Sequence, residues 1–339
     1  MHVCMTYLDK GDKVLVPNPG YPTYRSAATI AGGVCVDYKL REATGWMPDF
    51  DEIERQGIQG VKMMIVNYPH MPTGAIPQEG LFQKLVDFAK KHNILLLHDN
   101  PYSFLRNPRP ASLLAADGAM DVAIELNSLS KSHSMAGWRI GFMVGNRDLV
   151  GALTRIKSYH DYGTFTPIQV GAIEALNGPQ ECVEEVRKEY EHRRDVMVKG
   201  LHDLGWMVEK PKASMYIWAE LPEFYKSMGS VEFSKRLLEK AKVAVSPGIG
   251  FGEYGEGFVR IALIENADRI RQALRGIRQM FKEDGLIQPK TKKFHRRWKG
   301  EPVRAVPEKK PAAPKFAKVK NIPTKSTKKP KAKAAAKKK

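Results

Sequence analysis

The 339-residue chain carries 55 Lys/Arg against 37 Asp/Glu, a formal net charge of +18, with 42% hydrophobic residues and three cysteines. That length supports a large core and two domains, and with no run of about eighteen apolar residues the sequence predicts no membrane-spanning helix. Cys4, Cys35 and Cys182 are too scattered for a metal site or a disulfide framework; they fit the free thiols of a reducing compartment, so a cytoplasmic location is expected.

In chain order, β-rich runs at Lys13–Pro17, Gly33–Asp37, Val61–Val66, Asn93–Leu97, Asp121–Asn127 and Arg139–Val144 alternate with helical stretches such as 78–92 and 166–176. This alternation predicts an α/β fold with a mostly parallel sheet covered by helices. A long charged helical pattern over Glu181–Leu204 connects it to a second group: Met215–Leu221, a helix near 230–241, Val243–Ser246, Phe258–Leu263 and a helix near 267–283. The expected organisation is a large domain over 1–185, a smaller α/β domain over 186–287, and a Lys/Pro/Ala-rich tail over 288–339. From Lys290 onward 20 Lys/Arg face only Glu301 and Glu308, which leaves 35 charges of each sign in residues 1–289. A segment so charged and so poor in apolar residues cannot offset its ordering entropy, and disorder is expected.

Polar motifs follow several of the predicted strands, the edge where open α/β sheets bind ligands. Pro17-Asn-Pro-Gly-Tyr-Pro-Thr-Tyr24 follows the first strand; Tyr21 could present a flat face to a planar ligand or simply fill the core. Asn67-Tyr-Pro-His-Met-Pro-Thr-Gly74 is a stiff turn built on two prolines. In His98-Asp99-Asn100-Pro101-Tyr102, Asp99 could keep a pyridine nitrogen protonated, or merely cap a helix. Ser128-Leu-Ser-Lys131 leads to Arg139, eight residues past the lysine. A lysine at this edge, flanked by a hydroxyl and a guanidinium able to hold one phosphate, suggests a Schiff-base lysine for pyridoxal phosphate. Arg260, inside the apolar run Phe258–Leu263, has the fork geometry for a substrate carboxylate.

Together these motifs resemble the fold-type-I pyridoxal-phosphate aminotransferases of classes I and II, nearest to the alanine, aspartate and LL-diaminopimelate branch. The resemblance covers about residues 1–285. It rests on Pro-Gly-Tyr-Pro-Thr-Tyr, Asn-Tyr-Pro-x-x-Pro-Thr-Gly, Asp-x-x-Tyr, Ser-x-Ser-Lys with its following Arg, and Gly-Glu-Gly-Phe-Val-Arg. The resemblance implies that Lys131 forms the Schiff base and shuttles the proton. It makes Ser128 and Arg139 the phosphate ligands, Asp99 the partner of the ring nitrogen, and Tyr102 the partner of the phenolic oxygen. Tyr21 takes the stacking position and Arg260 the substrate α-carboxylate. It further implies amino acid and 2-oxo acid substrates and a homodimer, with Tyr159–Gln169 matching a segment near the subunit interface.

Two departures from the family pattern stand out. Met71 occupies the position where the family carries an asparagine that donates to the phenolic oxygen, which predicts a retuned enzyme; the plainer alternative is that Met71 only packs beside the cofactor. Family members also begin well before the position matching Met1, so an N-terminal arm, a first strand and a glycine-rich phosphate loop are expected to be missing, with residues 1–9 the remainder of that loop's helix. Two other functions stay open at this level: a carbon–sulfur β-lyase of the same fold, and a catalytically impaired body whose basic tail binds polyanions.

Overall fold

The computed structural model describes residues 1–105 and 110–287; the predicted basic tail lies outside them. Six strands form the larger sheet: β1 (Lys13–Asn18), β2 (Val34–Lys39), β3 (Val61–Val66), β4 (Leu95–Asp99), β5 (Ala123–Ser128) and β6 (Gly141–Gly145), in the spatial order β2-β1-β3-β4-β5-β6. The first five are parallel and β6 returns antiparallel. The central strands are apolar on both sides because helices cover both faces. Along β3, Met64 and Val66 enter one core with Leu85 and Leu96, while Met63 and Ile65 enter another with Val14 and Leu97.

A second sheet, ordered β7-β9-β8, comprises β7 (Tyr216–Glu220), β8 (Ser246–Pro247) and β9 (Phe258–Ala262). Its alternation decides what reaches the functional site. Ile217, Ala219, Val259 and Ile261 pack against the helices Glu181–His202 and Ala267–Glu283. Tyr216 and Trp218, one position out of phase, face the core of the larger sheet. Arg260 pairs with Trp218 across the antiparallel ladder and so shares that side. The helix over Ala267–Glu283 begins where expected because Asn266 caps it, accepting from the backbone N–H groups of Asp268 and Arg269.

Several elements differ from the sequence reading. The 121–127 run starts as a helical turn, Ala119–Val122, and extends only from Ala123. The strand predicted to end at Leu97 continues through Asp99, so that residue closes a strand instead of capping a helix. Arg139 stands outside β6 in a left-handed conformation. The Val243–Ser246 strand shrinks to Ser246–Pro247, because Lys242 turns left-handed and the proline has no N–H to extend the ladder.

The β6 edge is open. No described strand pairs with it on the side away from β5, and Phe142 and Val144 are 37% and 40% exposed.

Candidate active site

Asp99 ends β4 half-buried, and two neighbours fix it. The Tyr24 hydroxyl donates to Oδ2 at 2.6 Å, and the Asn67 side-chain amide donates to the Asp99 carbonyl at 2.6 Å. Oδ1 accepts no hydrogen bond from any described residue. Burial pushes the Asp99 carboxyl up, while the Tyr24 hydrogen bond and nearby His98 pull it back. Tyr21 lies edge-on to Tyr24 at 5.6 Å and is 44% exposed, leaving ring surface available to a ligand.

Behind Asp99 a buried polar layer ties β4 to β5. His98 Nδ1 and Glu125 Oε2 are 2.8 Å apart, and the same carboxylate accepts from Ser112, Leu113, Asn100 and Asn127. Burial alone would raise the Glu125 pKa; the hydrogen bonds from His98, Asn127 and Ser112 outweigh it and hold the group at about 2.

A second cluster meets Asp99 through the Asn67 turn. Besides bonding the Asp99 carbonyl, Asn67 accepts from the Met71 N–H through Oδ1 at 2.7 Å. That turn carries Met71 to Arg260, whose Nη1 donates to the thioether sulfur at 3.3 Å and whose Nη2 donates to Ser246 Oγ at 3.3 Å. The guanidinium carbon lies 4.2 Å from the centre of the Tyr216 ring and 4.7 Å from that of Phe251. Its Nε is buried with no hydrogen-bond partner, and no described carboxylate pairs with it. Tyr102 faces Tyr216 with its hydroxyl 3.5 Å from the other; burial, then the neighbouring phenol, pushes the Tyr102 pKa up so that it stays a neutral donor.

Ser128, Lys131 and Arg139, the residues expected near the phosphate, stand one strand over. Ser128 caps the turn Leu129–Ser132, and its hydroxyl reaches Ser130 Oγ at 2.9 Å or the Ile140 carbonyl at 3.2 Å. Lys131 is half-buried in that turn and makes no hydrogen bond or ion pair with a described residue. Arg139 is exposed and donates to the Ala136 carbonyl at 2.9 Å. Arg139 and Asp99 line one cavity of about 660 Å³, together with Leu126, Asn127 and Met143. The geometry thus gathers Asp99, Tyr21, Met71, Tyr102 and Arg260 into a connected network. Ser128 and Arg139 flank it, the Ser128 hydroxyl reaching the carbonyl of Ile140 next to Arg139, and among the described residues no hydrogen bond or ion pair joins the Lys131 side chain to the rest.

The donor set suits pyridoxal phosphate: a half-buried carboxylate with one oxygen open for a protonated ring nitrogen, and a buried guanidinium N–H still lacking its acceptor. Over residues 2–277 the chain matches the family described as aminotransferase class I and II. The chain belongs to that family. It is 53% identical to the glutamate-pyruvate aminotransferase AlaC of Escherichia coli, over 87% of this chain and 72% of the relative. An LL-diaminopimelate aminotransferase of Moorella thermoacetica is 43% identical over 82% of this chain and 71% of its own length. Substrate-bound BacF of Bacillus subtilis superposes with a TM-score of 0.79 at 38% identity, covering 82% of this chain and 71% of that one. The fold is therefore fold-type-I, the cofactor pyridoxal phosphate, and the reaction amino-group transfer between an amino acid and a 2-oxo acid. No described helix is long and apolar enough to cross a membrane.

The sequence assigns no role to three members of the network, although Tyr24 and Asn67 lie inside its motifs. Tyr24 sits one helical turn beyond Tyr21, in a helix that Pro22 opens. Asn67 reads as an ordinary turn residue until its amide is seen to bridge two backbones. Tyr216 is hidden in an apolar strand, where only its alternation with Ile217 and Ala219 hints that it faces the other side.

Proposed function

We propose that the network carries out transamination with the roles read from the motifs: Lys131 holds the cofactor and moves the proton, Asp99 partners the ring nitrogen, Tyr102 the phenolic oxygen, Ser128 and Arg139 the phosphate, Tyr21 the ring face, and Arg260 the substrate carboxylate. Bound pyridoxal phosphate supplies the electron sink for the charge left when the α-proton of the amino acid departs. The chain's own residues do the rest. Burial pushes the Asp99 carboxyl up and the neutral Tyr24 phenol opposes that rise without adding a positive charge, so the carboxylate can hold a proton on the nitrogen opposite. Arg260 lies between two aromatic faces that fix the guanidinium plane, and a fixed plane favours bidentate capture of a carboxylate. Lys131, unpaired among the described residues, is free to accept and return the α-proton.

The observation that carries this reading is Arg260: a cation held among aromatic rings, with a buried N–H unsatisfied, is costly unless an anion arrives to complete it. The identity with the glutamate-pyruvate aminotransferase supports glutamate as amino donor and pyruvate as acceptor. We read residues 1–185 and 186–287 as the cofactor and small domains, each with its own sheet, and the chain as a cytoplasmic homodimer. The tail beyond Lys290 would contact polyanions without sequence preference, in a salt-dependent way. Adding pyridoxal phosphate to the protein should produce a visible absorbance band that Lys131→Ala abolishes, and glutamate should then bleach it. An unchanged band in the variant would overturn the assignment of Lys131.

A further inference from the structure

Among the described residues, Tyr24 alone donates a hydrogen bond to the Asp99 carboxylate. Its ring is 9% exposed and packed with Ala28, Ile65 and Leu97, so the hydroxyl is delivered from a fixed place. Asn67 pins the same residue by its backbone carbonyl, which leaves the carboxylate little freedom to turn. The edge of Tyr21 rests on Tyr24 at 83° between ring planes. One buried side chain therefore touches both the residue assigned to the ring nitrogen and the residue assigned to the ring face.

The chemistry of the partner matters as much as its position. A lysine or arginine in the same place would also keep Asp99 ionised, but would cancel the charge that has to attract a protonated pyridine nitrogen. A phenol bonds the carboxylate and leaves its full negative charge. Burial, followed by the adjacent carboxylate, pushes the Tyr24 hydroxyl well above its ordinary value, so it remains a donor at every working pH.

We propose that Tyr24 is a positioning residue for the cofactor: its hydroxyl fixes the Asp99 carboxylate with Oδ1 left for the ring nitrogen, and its ring seats Tyr21. This rests on Asp99 being the ring-nitrogen partner. It differs from a packing role in one respect that can be measured. Tyr24 acts through the nitrogen, so its hydroxyl matters only to a cofactor that has one.

The test uses the full chain and two probes, pyridoxal phosphate and its 1-deaza analogue, in which the ring nitrogen is replaced by C–H. Binding is followed by absorbance titration for the wild type, Tyr24→Phe, Tyr24→His and Asp99→Ala. Tyr24→Phe should weaken pyridoxal phosphate about tenfold, the loss expected of a hydrogen bond to a charged group, and change the deaza analogue by less than about twofold. In the Asp99→Ala background the Phe substitution should add nothing. Tyr24→His, which offers an N–H donor, should recover part of the lost affinity; it also carries the comparison if thermal unfolding of the unloaded protein shows that the Phe variant does not fold. Equal losses for both probes, no loss for either, or a His variant that does not prefer pyridoxal phosphate to its deaza analogue would each overturn the proposal. A wild type that forms no Lys131-dependent band would overturn the parent reading instead, whereas a normal band with no Tyr24 effect would overturn this inference alone.

Discussion

Met71 is where this chain departs most clearly from its family's motif, and its contact is specific: the thioether sulfur accepts a hydrogen bond from Arg260 Nη1 rather than lying idle. A thioether is a weak acceptor and cannot donate. The cofactor's phenolic oxygen would then rely on Tyr102, and an oxygen with fewer donors holds a shared proton more tightly. Met71→Asn should therefore lower the pH midpoint of the bound cofactor's absorbance change by about one unit. It should also change KM for the amino acid, because Arg260 loses a neighbour it now bonds. A midpoint unmoved in a pH-titrated spectrum would leave Met71 as packing only. Position 71 was legible in the sequence because a motif surrounds it. Its partner was not: Arg260 lies 189 residues away along the chain, and nothing in either local sequence announces the other.

At the scale of elements, the junction of β4 and β5 is tied by the buried hydrogen bond between His98 Nδ1 and the Glu125 carboxylate. The Glu125 carboxylate is only 4% exposed and His98 is fully buried, so solvent does little to screen them. Because the folded-state pKa of Glu125 is depressed to about 2 from an ordinary 4.5, its contribution is fully present above pH 4.5 and is lost as pH falls towards 2. Glu125→Gln leaves His98 without its anionic acceptor and should cost about 3 kcal/mol at neutral pH. In acid denaturation followed by circular dichroism, the variant's stability should fall less steeply than the wild type's over that window. A parallel decline in both proteins would mean that other carboxylates set the acid limit. The polarity of this layer was not predicted. His98 and Glu125 sit at apolar-phase positions of their strands, and only the parallel pairing of His98 with Glu125 brings them face to face.

For the whole molecule, the sequence was most informative where periodicity and capping agree, as in the helix over Ala267–Glu283 and the strand over Val61–Val66, both found at their expected bounds. It was least informative where tertiary pairing decides, as in the two-residue β8 and the antiparallel turn of β6. Surface composition adds a further expectation. The helix Arg147–His160 buries no residue fully and Thr166–Asn177 buries only Ala172, while Tyr159, Tyr162, Phe165, Val170 and Ile173 are 58–92% exposed. Apolar exposure on that scale suits a subunit interface. Sedimentation should give twice the mass of one chain, and Ile173→Glu should halve it; a monomeric wild type would contradict the dimer.

The uncovered side of β6 has a consequence of its own. A strand edge lined by Phe142 and Val144 offers a ladder of unpaired backbone groups beside a greasy strip, which is the template on which fibrils and clumps begin. Handling the protein at high concentration should therefore favour linear self-association through that rim, and a lysine in place of Val144 should blunt it by placing a charge where a foreign strand would have to dock.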